Sequence, residues 1–228
     1  MGMSAASPRH APRPGNAAAP GRSATGQALL DETSFVVFDT ELTGLNARKD
    51  SIVSLGAVRM QGKKILLADE FYRLVEPRTE LTAKSVVIHQ ITPSEAAGLP
   101  GIEVLLPEFV AYCGDAVVVG HAVSIDLGFL NREMKQVYGH ALRNRAIDTA
   151  RLYQWLRNKE ENACAYHSGV ADALDLFSLA AKYHIPVTTA HNALSDAFVT
   201  AQLLQRLLHE LPRWGITKRD ELLAIARP

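Results

Sequence analysis

The sequence predicts an α/β domain built on one mixed β-sheet with flanking helices. Short apolar runs of strand length recur, notably Phe35-Val-Val-Phe38 and Ala116-Val-Val-Val119. Two strand-like segments lie back to back around a Gln61-Gly62 turn, and beyond Ala116 strands alternate with helical periodicity. Strands first, then strands alternating with helices, is the signature of an α/β layer fold. The 228 residues give room for one substantial core and a tail.

In chain order, residues 34–38 form a buried strand that ends at Asp39, leaving Asp39 and Glu41 at or just past its C-terminal end. Residues 52–60 and 64–75 form a hairpin or meander around Gly62. Residues 86–98 read as irregular, with a short helix starting at Pro93, whereas 101–113 has helical spacing at Ile102, Leu105, Leu106, Phe109 and Val110. A strand at 116–120 leads into a helix over 124–138, with Ser124 as its N-cap. A brief strand at 145–147 precedes a helix through Trp155, and further helices are expected over 170–183, 193–210 and 217–226. Gln202 to Leu208 reads as a core-facing stripe.

Residues 1–30 are rich in Ala, Pro, Gly, Ser and Arg, with no acid before Asp31, and are expected to be a disordered tail. The folded part then divides into a domain over 31–211 and a short C-terminal segment, 212–228. The whole chain has zero formal net charge; without Arg9, Arg13 and Arg22 of the tail, 21 basic residues face 24 acidic ones. Such a balance argues against coating long nucleic acid but permits gripping a strand end. The Arg-bearing tail fits a weak nucleic-acid tether or an organelle-type presequence; an extension with no specific task is the simpler reading. No apolar run approaches the ~20 residues of a membrane-spanning helix. Cys113 and Cys164 are too few for a disulfide framework, so a reducing cytoplasm is the expected compartment. Cys164 and His167 lack a second pair at zinc-site spacing.

The chemistry concentrates in three clusters, each beside an apolar run: Phe38-Asp-Thr-Glu41, His121 to Asp126, and His191 to Asp196. Buried carboxylates are costly unless a cation neutralises them. Asp39 and Glu41, two apart on extended chain, point to one side and share reach of one cation. Asp126 lies early in a helix that follows a strand, at the sheet edge where α/β folds bind ligands. Asp196, one turn inside the last long helix behind an Asn192 N-cap, points its carboxylate back toward the helix mouth. His191 on the preceding loop suits proton abstraction at neutral pH. Oxygen ligands in this pattern suggest a divalent metal and metal-assisted phosphodiester cleavage. Taken singly, each cluster has a plainer explanation as solvated acids, a helix first-turn Asp or a capping histidine.

Taken together, the clusters resemble the DEDDh 3′-to-5′ exonucleases, most of all the epsilon-type proofreading exonucleases of bacterial DNA polymerase III. The matching segments are Phe38-Asp-Thr-Glu-Leu-Thr-Gly-Leu45, Ile88-His-Gln-Ile-Thr92, Val119 to Leu130, Ile147-Asp-Thr149 and His191 to Ala197. The resemblance implies a ribonuclease-H-like fold with a central five-stranded mixed sheet and two Mg²⁺ or Mn²⁺ ions per site. Asp39, Glu41 and Asp196 would hold the first ion, Asp39 and Asp126 the second, and His191 would be the general base. Thr43, Gly44, Leu45, His89 and Ile91 would contact substrate, with Leu45 wedged against the terminal bases. The implied reaction releases nucleoside 5′-monophosphates from single-stranded or frayed DNA 3′ ends, in proofreading, repair or replication. The same five catalytic positions also serve RNA-trimming members, so the sugar preference stays open. The chain departs from the family at Leu42 (often Thr), Gln90 (usually Gly), Ala122 (commonly Asn) and Ile125 (commonly Phe). No longer C-terminal docking tail is seen, so polymerase association is open and a stand-alone exonuclease is favoured.

Overall fold

The computed structural model describes residues 28–163 and 173–228. Arg9, Arg13, Arg22, Cys164, His167 and residues 170–172 lie outside them. The sheet expected from the sequence is present, with strands β1 (Ser34–Leu42), β2 (Ile52–Gln61), β3 (Lys64–Leu74), β4 (Val117–Gly120) and β5 (Ala146–Asp148) in the order β3-β2-β1-β4-β5. β1, β2 and β3 pair antiparallel, whereas β4 and β5 run parallel to β1. The helices are α1 (Ala83–His89), α2 (Pro93–Ala96), α3 (Ile102–Cys113), α4 (Ser124–Tyr138), α5 (Thr149–Ala163), α6 (Leu176–Lys182), α7 (Ala193–Glu210) and α8 (Arg219–Ile225).

β1 is buried on both faces, which is why it reads as a continuous apolar run. Phe35 and Val37 enter a core shared with α5, α6, α7 and α8; Val36 and Phe38 enter a second core shared with α3 and α4. This alternation fixes which helix each later residue of β1 can meet. Asp39 and Glu41 continue the Phe35–Val37 side and face α7, while Thr40 faces α4.

Several boundaries differ from the sequence reading. β1 continues through Asp39 and Glu41 to Leu42, because β2 pairs with it as far as Ile52. β4 pairs only with Phe35–Val37, so the end of β1 overhangs its parallel neighbour. Residues 83–89 are helical, although the β-branched run disguises them. Thr82 accepts from the Ser85 amide as N-cap, and Gln90 closes the helix at φ 59. That left-handed backbone favours glycine, which accounts for the family's usual residue there. Ser124 is not an N-cap but the first residue of α4; the amides of Ala122 and Val123 instead donate to Asp148, each at 3.1 Å. Ala122 sits at φ 52, a conformation asparagine tolerates better than alanine. α6 begins only at Leu176, where Asp175 caps it by accepting from Ser178.

The fold reaches slightly beyond 31–211. Leu29 bridges Lys218, Leu30 is buried, and Leu222, Leu223 and Ala226 of the C-terminal segment join the α7 core. The last three residues assigned to the tail that are described here, 28–30, therefore belong to the packed domain, and 212–228 shares its core. Trp214 packs against that core, and Leu203, Leu204, Leu207 and Leu208 form the buried stripe of α7. No helix among the described residues is long and apolar enough to cross a membrane.

Candidate active site

The overhanging end of β1 is where three elements deliver acids. α7 reaches it because Gly56, the β2 partner of Asp39, has no side chain. A Cβ there would lie 2.2 Å from the Leu194 nitrogen and 2.3 Å from the Ala193 carbonyl carbon. The first turn of α7 thus rests directly on the sheet, with Asn192 as N-cap accepting from Ser195 at 3.1 Å. Three residues inside that helix start, Asp196 turns back so that Oδ2 accepts from the His191 amide at 3.1 Å. Asp39, Glu41 and Asp196 each offer an oxygen, and these oxygens lie within 4.8 Å of one another.

Asp126 comes from the opposite face. Its Oδ1 accepts from the Thr40 amide at 3.1 Å and the Thr40 hydroxyl at 2.5 Å. Where β4 stops pairing, the α4 carboxylate takes over the backbone of β1, and this holds the fourth acid beside the other three. The α4 entry is itself anchored: Asp148 also accepts from Ala150 at 2.9 Å, and His121 bonds Thr149 Oγ1 at 2.8 Å and the Leu174 carbonyl at 2.7 Å.

Crowding these acids together disfavours their charge. Burial, then Asp126, Glu41 and Asp196, hold the Asp39 carboxyl well above the usual range. Burial, then Asp196 and Asp126, push Glu41 to about 7. Asp126 rises to about 6 through burial, against the Thr40 hydrogen bonds that favour its ionised form. Asp196 also rises to about 6 through burial, opposed by the His191 amide and ring. No ion pair reaches any of the four among the described residues, and Asp196 Oδ1 is buried without a hydrogen-bond partner. An all-oxygen donor set with excess negative charge and an orphaned carboxylate oxygen fits a hard divalent cation.

His191 is exposed, at φ 60, with its ring edge-on to Phe177 at 5.3 Å between centroids. It stands on the loop that opens onto Asp196, its amide donating to that carboxylate. Of the residues expected to contact substrate, Thr43 is buried and accepts from the Ser51 amide at 3.0 Å. Leu45 is 79% exposed, an apolar side chain held out in solvent. Gly44 lies against Asp50, whose carboxylate a Cβ would overlap at 2.5 Å. His89 is buried, its Nδ1 accepting from the Ile91 amide at 3.0 Å, and Ile91 packs with Val53 and Ala96.

Sequence reasoning gave no individual role to Thr40, Gly56, Asp148 or Tyr72. Tyr72 is the β3 neighbour of Gly56 in the same row as Asp39, and its hydroxyl accepts from Asn192 at 3.4 Å. A glycine interrupting the apolar β2 run was the available signal for a close backbone approach.

A family model described as Exonuclease (RNase_T) matches residues 36–204. The DNA polymerase III subunit epsilon of Aquifex aeolicus is 34% identical over 186 residues, covering 80% of this chain and 84% of that protein. The PolC-type DNA polymerase III of Thermotoga maritima is 32% identical over 201 residues, 88% of this chain; the chain spans only 14% of that much longer relative. In fold, the chain is similar to exonuclease X in complex with 5′ overhanging duplex DNA (TM-score 0.61, 24% identity, 84% of this chain and 98% of the other). It is also similar to Escherichia coli exonuclease I in complex with a dT13 oligonucleotide (TM-score 0.65, 16% identity, 80% and 42%). The five-stranded mixed sheet with its flanking helices is the ribonuclease-H-like fold of these exonucleases. With four acids converging at the end of β1, the chain belongs to the exonuclease family that includes the epsilon-type domains of bacterial DNA polymerase III.

Proposed function

We propose that this protein is a divalent-metal-dependent 3′-to-5′ exonuclease. It removes nucleoside 5′-monophosphates from single-stranded or frayed DNA ends, in the cytoplasm, during proofreading, repair or replication. The carrying observation is the convergence of Asp39, Glu41 and Asp196 within 4.8 Å, with a buried unpartnered oxygen on Asp196. In this reading Asp39, Glu41 and Asp196 hold one Mg²⁺ or Mn²⁺ and Asp39 with Asp126 a second. When bound, the ions supply positive charge to the attacking and leaving oxygens of an in-line displacement.

The chain's own residues do the rest. His191 accepts a proton from the attacking water, and its exposed loop position lets it release that proton to solvent. Its amide contact with Asp196 couples the loop to the acid that the reaction needs. Leu45 meets the face of a terminal base, a contact that tolerates any sequence. Thr43, Gly44, His89 and Ile91 shape the pocket for the terminal nucleotide. The epsilon relative supports DNA as substrate and a polymerase as partner.

A 5′-labelled single-stranded DNA, a mismatched duplex and a matched RNA, each incubated with Mg²⁺ or Mn²⁺, test this reading. The expected result is a ladder shortening from the 3′ end, fastest on single-stranded DNA. Asp39→Ala lowers the rate on the order of 10³-fold or more. Folded protein that releases nothing from any 3′ end with either metal contradicts the reading; preferential RNA shortening reassigns the substrate.

A further inference from the structure

We propose that Arg132 is a positioning residue for substrate: it clasps the loop that presents Leu45 to the helix that delivers Asp126. The inference rests on the exonuclease reading above, in which Leu45 meets the terminal bases. Leu45 is 79% exposed and follows directly on buried Thr43 and half-buried Gly44. An apolar side chain on a surface loop serves as a wedge only if the loop is fixed. Loop 43–50 has an internal turn, with Lys49 and Asp50 amides donating to the Asn46 carbonyl and Asp50 Oδ2 accepting from the Asn46 amide at 2.8 Å. These contacts stiffen the loop but do not tie it to α4.

Arg132 supplies that tie. Its Nη1 donates to the Ala47 carbonyl and, at 2.8 Å, to the Asp50 carbonyl, 85 and 82 residues away in sequence. The guanidinium is in turn held by Glu133 Oε1, at 2.9 Å from Nε and 2.6 Å from Nη2. Glu133 is buried, and its other oxygen accepts from Arg78 at 2.9 Å. Arg78 reaches Glu103 at 3.0 Å on α3 and Gln136 at 2.8 Å on α4. The planar fork of arginine is therefore locked from behind while its front edge grips two carbonyls, a task a lysine point charge performs only in part. Because α4 also carries Asp126 two turns upstream, the clasp sets the distance between the base wedge and the acids.

Steady-state kinetics on two substrates test the clasp. A single-stranded oligonucleotide reads the wedge, and bis(p-nitrophenyl) phosphate, a phosphodiester with no nucleobase, reads the acids alone. Arg132→Met should raise KM for the oligonucleotide roughly three- to tenfold, the cost of ordering a freed loop on binding. Its kcat, and ester hydrolysis, should stay within about twofold of the parent. Arg132→Lys should lie between, and it carries the test alone if the Met variant fails to fold. Adding Leu45→Ala to the Met variant should raise KM little further, since the freed loop no longer holds the wedge in place. An unchanged oligonucleotide KM, or an equal fall on both substrates, overturns the clasp. Parent protein inactive on both substrates overturns the exonuclease reading instead.

Discussion

Two sets of buried or half-buried carboxylates in this molecule are treated in opposite ways. Glu133 is enclosed between Arg132 and Arg78, whose guanidinium nitrogens stand 2.6 and 2.9 Å from its two oxygens. Asp39, Glu41, Asp126 and Asp196 crowd one end of β1 with each other as neighbours, and no ion pair among the described residues offsets them. The first arrangement carries its own counter-charge and needs nothing from outside. The second is a standing electrostatic debt, arranged by three separate elements so that only a bound cation or protons can relieve it. A buried acid with a fixed arginine is architecture; several without one form a binding site.

The sharpest separation of the two sets comes from pH. Glu41, Asp126 and Asp196 have folded-state pKa values of about 7, 6 and 6, above their ordinary values. The folded protein therefore binds more protons than the unfolded chain between about pH 4 and pH 7. Stability conferred by the protonated acids is present at the low end of this window and is lost as pH rises through it. Chelator-treated protein should lose several kcal/mol of unfolding free energy across that range. Mn²⁺ should restore most of the loss at pH 7.5, as read by denaturant melts. A flat profile with or without metal would erase the distinction.

Removing the carboxylate from each set should then move stability in different directions. Glu133→Ala leaves two partly exposed arginines facing a gap, and is expected to cost about 3 kcal/mol. Gly56→Ala forces a Cβ onto the backbone of α7, costing roughly 1–3 kcal/mol and weakening cation binding by displacing Asp196. Asp39→Asn relieves repulsion and should stabilise the metal-free protein by about 1 kcal/mol while abolishing nuclease activity. Should Asp39→Asn destabilise as strongly as Glu133→Ala, the two regions would not differ in kind.

Much of this was legible in the sequence, for identifiable reasons. β1 and β4 are buried on both faces, so their apolar runs announce strands, and the Asp-x-Glu spacing places two carboxylates on one side of extended chain. Asn192 and Asp196 follow capping and helix-direction rules that depend on local chain alone. Residues 83–89 were hidden because their β-branched composition opposes a helix that Thr82 and the left-handed Gln90 nevertheless cap. The role of Thr40 was hidden for another reason: its amide lacks a strand partner only because β4 pairs with β1 no further than Val37. Asp148 likewise reaches Ala122 and Val123 across 26 and 25 residues, a contact no local pattern encodes. Gly56 left a trace, a glycine inside an apolar strand, but not the identity of the helix lying on it.

Calorimetric titration of Mn²⁺ into chelator-treated protein near pH 7 tests the central claim most directly. Saturable binding to the parent, accompanied by proton release that shrinks toward pH 8 and lost in Asp39→Asn but retained in Glu133→Ala, is the predicted result. A folded parent protein that takes up no Mn²⁺, or binds it equally well after Asp39→Asn, would contradict the account.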